Sequence, residues 1–173
     1  MLLQLQNVDF GVGGPLLLEN VDLVVERGER VCIVGRNGAG KSTLLRLMSG
    51  EAQPDDGELR RFGSRIAGLA QEVPAGVDGS VFDVVAAGLG ELGELLARYH
   101  HLLHDHAGEG PDLRALGEVQ ARIEAEGAWA LEQRVEQVIE RLDLPEDASF
   151  GALSGGMKRR VLLAQALVAG PDL

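Results

Sequence analysis

The chain has 173 residues, 45% of them hydrophobic and only 3% aromatic, enough for one domain whose core is mostly Leu, Val, Ile and Ala. A formal net charge of −11 excludes a sequence-wide basic surface for nucleic acid. No apolar run is long enough to span a bilayer, Met1 to Phe10 lack the basic start and greasy stretch of a secretion signal, and the one cysteine, Cys32, reads as a buried thiol in a reducing compartment; together these favour the cytoplasm.

Leu3, Leu5 and Val8 against Gln4, Gln6 and Asn7 give the rough alternation of a half-buried strand. Gly11 to Pro15 marks a turn, and Leu16 to Val25 reads as a second strand, so the opening section is a small β-layer. Val31-Cys32-Ile33-Val34 is short, apolar and rich in β-branched residues, which predicts a strand buried on both faces of a parallel sheet. Lys41 to Met48 is helical in pattern and closed by Ser49-Gly50. Asp55-Asp56-Gly57 is a turn, with one or two short strands expected across Leu59 to Leu69. Ser80 with Asp83 resembles a capping box that opens a further helix.

Residues 91–143 carry twelve acidic residues against five arginines, so −7 of the total charge sits there. Gly108 to Pro111 splits this stretch, with Pro111 suited to a first helical turn. Leu113, Leu116, Gln120 and Ile123, then Val135, Val138 and Leu142, recur at helical spacing and predict two or three amphipathic helices, packed antiparallel and ending before Pro145. Ser154 starts a last helix through Met157 to Ala169, stopped by Gly170-Pro171.

Gly35-Arg36-Asn37-Gly38-Ala39-Gly40-Lys41-Ser42 matches G-x-x-x-x-G-K-[ST], between an expected strand and an expected helix. The residue types suit a nucleoside triphosphate, here Mg·ATP. Gly35, Gly38 and Gly40 let the backbone curl so that successive N–H groups, including those of Asn37 and Ala39, converge on phosphate. The following helix adds its positive end. Lys41 reaches the β- and γ-phosphates, and the Ser42 hydroxyl, followed by Thr43, takes one position on Mg²⁺.

A second motif, Leu153-Ser154-Gly155-Gly156-Met157, is by itself only a helix start on a flexible turn. Downstream of a phosphate loop and ahead of Lys158-Arg159-Arg160-Val161, it resembles the signature of the ATP-binding cassette (ABC) superfamily, with Met157 where Gln is more usual. The resemblance implies an α/β P-loop NTPase of ABC type, with an N-terminal β-layer and an inserted helical subdomain or arm. It implies that Ser154, Gly155 and Gly156 cap the γ-phosphate held by a second cassette, in the same parent chain or a dimer mate. Gln71 sits where the family has the glutamine that touches Mg²⁺ and the attacking water, so Lys41, Gln71 and Ser154 form the implied catalytic set. Phe10 sits where the family stacks an aromatic ring on adenine.

Ser154 lies 83 positions after Gln71, more chain than transporter cassettes usually use there, and the surplus falls in the acidic helical stretch. An arm at 91–143 resembles the ABC-F subfamily, twin-cassette ATPases without transmembrane subunits, many of which act on the ribosome. Arg98-Tyr99-His100 and Trp129-Ala130-Leu131-Glu132 look most like the first cassette of its Uup-like branch. The resemblance makes a ribosome or nucleic acid the expected target. The rival readings are the ATP-binding subunit of an ABC membrane transporter and a nucleotide-binding interaction module without turnover. His100, His101, His104 and His106 invite a metal reading against that of a polar arm tip, and Lys158-Arg159-Arg160 a phosphate contact against a solvated helical turn.

Pro171-Asp172-Leu173 resembles the lead-in to the family's Walker B strand. The expectation is a partial cassette, truncated before that strand: a β-layer and phosphate-loop core over 1–80, a helical subdomain over 81–150 and a signature helix over 151–173. The implied parent is an ATP hydrolase, and the 173-residue chain is expected to bind nucleotide but hydrolyse it poorly.

Overall fold

A computed structural model describes residues 1–104 and 112–173. They form two compact units, one of Met1–Gly68 with Pro171–Leu173 and one of Leu69–Gly170.

The first unit is built on a three-stranded antiparallel sheet of order β2-β1-β3, from β1 (Leu3–Gly11), β2 (Leu16–Val25) and β3 (Asp56–Arg61). Leu3 and Leu5 face the core as period-two alternation requires, but the next core residue is Val8. Asn7, at φ 48°, absorbs the extra residue as a bulge, and the Asp22 carboxylate accepts its N–H at 2.8 Å. The helix α1 (Lys41–Ser49) packs Leu44, Leu47 and Met48 against the same core. Its C-terminal Gly50, at φ 95°, donates to the Arg46 and Leu47 carbonyls, which ends the helix where the sequence predicts.

The predicted strand at Val31–Val34 does not form. Val34 is 85% exposed, Cys32 is exposed rather than buried, and Ile33 alone packs against the core. A strand covered on both faces needs hydrogen-bonding neighbours, and no strand among the described residues pairs with this segment. Across Leu59 to Leu69 only β3 is a strand; beyond it, irregular backbone bonds tie Arg65 to Asp172 and Ala67 to Leu173.

The second unit is helical. Helix α2 (Val81–Ala86) opens with the expected capping box: Asp83 N–H donates to Ser80 Oγ at 3.1 Å, and Ser80 N–H to Asp83 Oδ2 at 2.8 Å. Five of its six residues are buried, making it the centre of this core. Around it lie α3 (Glu91–His104), α4 (Leu113–Ala125), α5 (Trp129–Arg141) and α6 (Gly155–Val168). Gly93 on α3 allows a close approach, since a Cβ there would lie 1.8 Å from the Ala86 carbonyl oxygen.

The three helices of the acidic stretch form as the periodicity predicts, though the buried stripe differs by a residue in places. In α4 it runs through Val119 and Ile123, with Leu113 74% exposed and Gln120 exposed. In α5 it runs through Val135 and Ile139. Asp112 caps α4 by accepting from the N–H groups of Arg114 and Ala115. The break read at Gly108 to Pro111 lies outside the described residues.

Candidate functional site

The phosphate-loop sequence lies in the first unit, between the irregular 31–34 segment and α1. Gly38 and Gly40 both take φ 83°, the left-handed conformation that curls the loop. Gly40 is the tighter position: a Cβ there would come within 2.9 Å of Leu18 Cδ2 and 3.3 Å of the Leu17 carbonyl oxygen. The loop therefore lies against β2. The Lys41 ammonium donates to the carbonyls of Gly35 and Arg36, both at 2.8 Å, so the loop bends round its own lysine.

Among the described α-helices, α1 alone starts with neither a side-chain cap nor an acidic residue in its first turn. Helices α2, α4 and α6 have a side chain that accepts from their first-turn amides; α1 begins at Gly40 with no side-chain cap, as α5 does at Ala128, but α5 carries Glu132 in its first turn. Backbone N–H groups, the helix's positive end and a lysine ammonium are the donor set that suits a polyanion; here the Ala39 N–H is given to the Arg36 carbonyl at 3.2 Å. The residues present thus fit a triphosphate, and the exposed Ser42 hydroxyl fits a ligand of its Mg²⁺.

Phe10 belongs to the same unit. It is half-buried, faces Leu18 across the β1–β2 ladder and packs against the core beside α1. The structure thus brings Phe10, Gly35, Asn37, Gly38, Ala39, Gly40, Lys41, Ser42 and Thr43 into one unit.

Gln71, Ser154, Gly155 and Gly156 lie in the other. Ser154 is the N-cap of the 14-residue α6, its Oγ accepting from Met157 N–H at 3.3 Å. Gly155 and Gly156 are exposed, with open space where a Cβ would project. Gln71 is tied to this helix by a contact the sequence did not signal. Arg159 Nη2 lies 3.4 Å from the Gln71 carbonyl oxygen, across 88 residues of chain. The rest of the basic triplet also turns onto its own unit: Lys158 Nζ stands 5.6 Å from the Phe150 ring centre, and Arg160 reaches the Leu142 carbonyl at 3.5 Å.

The histidines divide. His100 is not at a polar tip: its side chain is 14% exposed and its ring stacks on Phe82, with centres 4.2 Å apart. Burial, then the neighbouring His104, hold its pKa below the ordinary value, against the opposing pull of Asp147 and Asp83. His101 Nε2 lies 2.8 Å from Asp83 Oδ1. Among the described residues no group of three or more His, Cys, Asp or Glu could hold a metal ion; His106 lies outside them.

The sequence model of the ABC transporter family matches residues 18–173. The chain belongs to that family. Among curated ABC relatives it is similar to the ATP-binding protein Uup of Haemophilus influenzae, 38% identical over 99% of this chain and 27% of that protein. Uup of Escherichia coli is 41% identical over 90% of this chain and 25% of its own length. The energy-dependent translational throttle protein EttA of Mycobacterium tuberculosis is 33% identical over 93% of this chain and 30% of its own. The chain thus spans about a quarter of the length of the Uup proteins it matches.

Solved ABC structures share the fold. The ATP-binding subunit of an ABC transporter aligns with a TM-score of 0.68 at 22% identity, over 99% of this chain and 63% of that one. CbiO1 of Clostridium perfringens aligns with a TM-score of 0.66 at 21% identity, over 98% and 62%. No helix among the described residues is long and apolar enough to cross a membrane.

Proposed function

We propose that this chain binds Mg·ATP as part of a cytoplasmic ABC-F-type ATPase, whose ATP-driven closure of paired cassettes acts in translation or another ribosome- or nucleic-acid-associated process. The observation that carries the nucleotide reading is the uncapped, acid-free start of α1 with the Lys41 ammonium at its loop. The amides of Gly35 to Gly40 would cradle the β-phosphate, and Lys41 would exchange its two carbonyl acceptors for phosphate oxygens. Ser42, with Thr43 beside it, would hold Mg²⁺; the ion when bound neutralises developing charge on the phosphates. Phe10 would stack on adenine. Ser154, Gly155 and Gly156 would face the triphosphate on a second cassette.

Lys41, Gln71 and Ser154 would bind and orient the triphosphate, whereas hydrolysis further needs an acceptor for the proton of the attacking water. Hydrolysis is accordingly assigned to the parent protein, with poor turnover by these 173 residues. The similarity to Uup and to a translational throttle protein favours the ABC-F reading over a transporter subunit.

Calorimetric titration of the chain with Mg·ATP, beside Lys41→Ala, tests the site. Binding at one site that the variant loses is the expected result; equal binding by both would sink the assignment. Co-sedimentation of the parent protein with ribosomes, with and without ATP, tests the target. ATP-dependent pelleting supports the ribosomal role, and its absence excludes a stable one.

A further inference from the structure

Phe10 sits where the sheet ladder is irregular. The β1–β2 register shifts between Val8 and Phe10 and again between Phe10 and Gly11, and the β1–β3 pairing ends at Asp9 opposite Asp56. Phe10 still pairs with Leu18, but the ladder on either side of it is irregular, so the backbone that carries its ring rests on further contacts as well.

Asp55, just ahead of β3, supplies them. Its N–H donates to the Asp9 carbonyl at 2.9 Å, and its Oδ2 accepts from the Gly11 N–H at 2.7 Å. One residue thus holds the carbonyl before Phe10 and the amide after it. Asp9 is anchored in turn, its Oδ1 accepting from Asn20 N–H at 2.6 Å. Facing Phe10 across the ladder is Leu18, whose Cδ2 bounds the space at Gly40 of the phosphate loop. We infer that Asp55 is a positioning residue for adenine recognition, clamping the backbone on both sides of Phe10 so that its ring is presented to the base. The inference rests on the reading of Phe10 as the adenine-stacking residue. Stacking depends on ring placement, and a ring on a loosened strand must be ordered at the moment of binding.

The test compares Mg·ATP with Mg·tripolyphosphate, which engages the phosphate loop but has no base, in the 173-residue chain. Phe10→Ala is expected to weaken ATP binding about 5- to 100-fold and leave tripolyphosphate unchanged. Asp55→Ala is expected to weaken ATP about 3- to 10-fold, again sparing tripolyphosphate, and Asp55→Asn, which keeps an acceptor oxygen, restores most of the loss. In the Phe10→Ala background Asp55→Ala should cost nothing further, because both act through one ring. Asp55→Glu, which displaces the carboxylate by one methylene, repeats the comparison if the alanine variant does not fold. Unchanged ATP affinity in the Asp55 variants while Phe10→Ala loses it would overturn the inference, as would an equal loss of both ligands. If Phe10→Ala keeps full ATP affinity, the stacking reading fails and the role of Asp55 with it, while tripolyphosphate binding still reports the phosphate loop.

Discussion

Arg61 Nη2, on β3, donates to the carbonyl oxygen of Leu47 at 2.6 Å, and Arg61 Nε reaches the Met48 carbonyl at 2.9 Å. The guanidinium thus closes the C-terminal end of α1, the helix whose other end is the phosphate loop. A cation at a helix C-terminus also opposes the negative end of the dipole. Arg61→Ala leaves two part-buried carbonyls without this donor and is expected to destabilise the first unit by about 1–3 kcal/mol. Urea denaturation followed by far-UV circular dichroism checks this. A stability equal to wild type would show that water replaces the guanidinium fully.

Gly40 offers a sharper test of the loop. An alanine there meets the left-handed backbone cost and a Cβ placed 2.9 Å from Leu18 Cδ2. Gly38 has the same φ of 83° but open space around it. Both alanines carry the backbone cost, roughly 1–2 kcal/mol. Gly40→Ala should lose more stability than Gly38→Ala, since Leu17 and Leu18 must move. Thermal melts of the two variants side by side give the ranking, and the reverse order would contradict the packing described.

What was legible in the sequence is what local chemistry decides. Ser80 and Asp83 exchange their capping bonds within four residues, and Gly40 and Gly50 bracket α1 because each takes a left-handed φ. Val31 to Val34 does not form the strand its composition predicts, because a doubly covered strand is a property of its neighbours, and four apolar residues do not carry those with them. The sequence places Val8 with Leu3 and Leu5 on the apolar face, but not the bulge at Asn7 that brings Val8 there out of strict alternation. The contacts that organise the candidate site were not readable at all. Arg61 to Leu47, Asp55 to Gly11 and Arg159 to Gln71 each join residues far apart in the chain, through side chains that look like ordinary surface charges.

Two glycines on helices of the second unit should respond with opposite signs. Gly117, on α4, has nothing within 4 Å of a built Cβ, so Gly117→Ala should stabilise by about 0.5–1 kcal/mol through helix propensity. Gly93, on α3, would place its Cβ 1.8 Å from a backbone oxygen that cannot move aside alone. Gly93→Ala should therefore destabilise by about 1–3 kcal/mol or more despite the same propensity gain. Chemical denaturation of both variants decides it, and stabilisation by Gly93→Ala would rule out the close approach of α3 to α2.

His100 gives the second unit a pH dependence of defined sign. Its folded pKa lies below the ordinary value, first through burial against Phe82 and then through His104. As pH falls through about 6.5, the unfolded chain takes up a proton that the folded chain resists, so stability declines until the lowered folded pKa is reached. Glu132 and Glu146 act the other way. Burial, reinforced by acidic neighbours, raises both, so the folded form binds their protons first and stability rises as pH falls through their raised values toward about 4.5. His100→Phe keeps a ring on Phe82 and removes the titration. Stability measured by urea denaturation at steps from pH 7.5 to 5.5 should fall less steeply in the variant than in wild type. Parallel curves would mean that His100 protonates as freely in the folded chain as in the unfolded one.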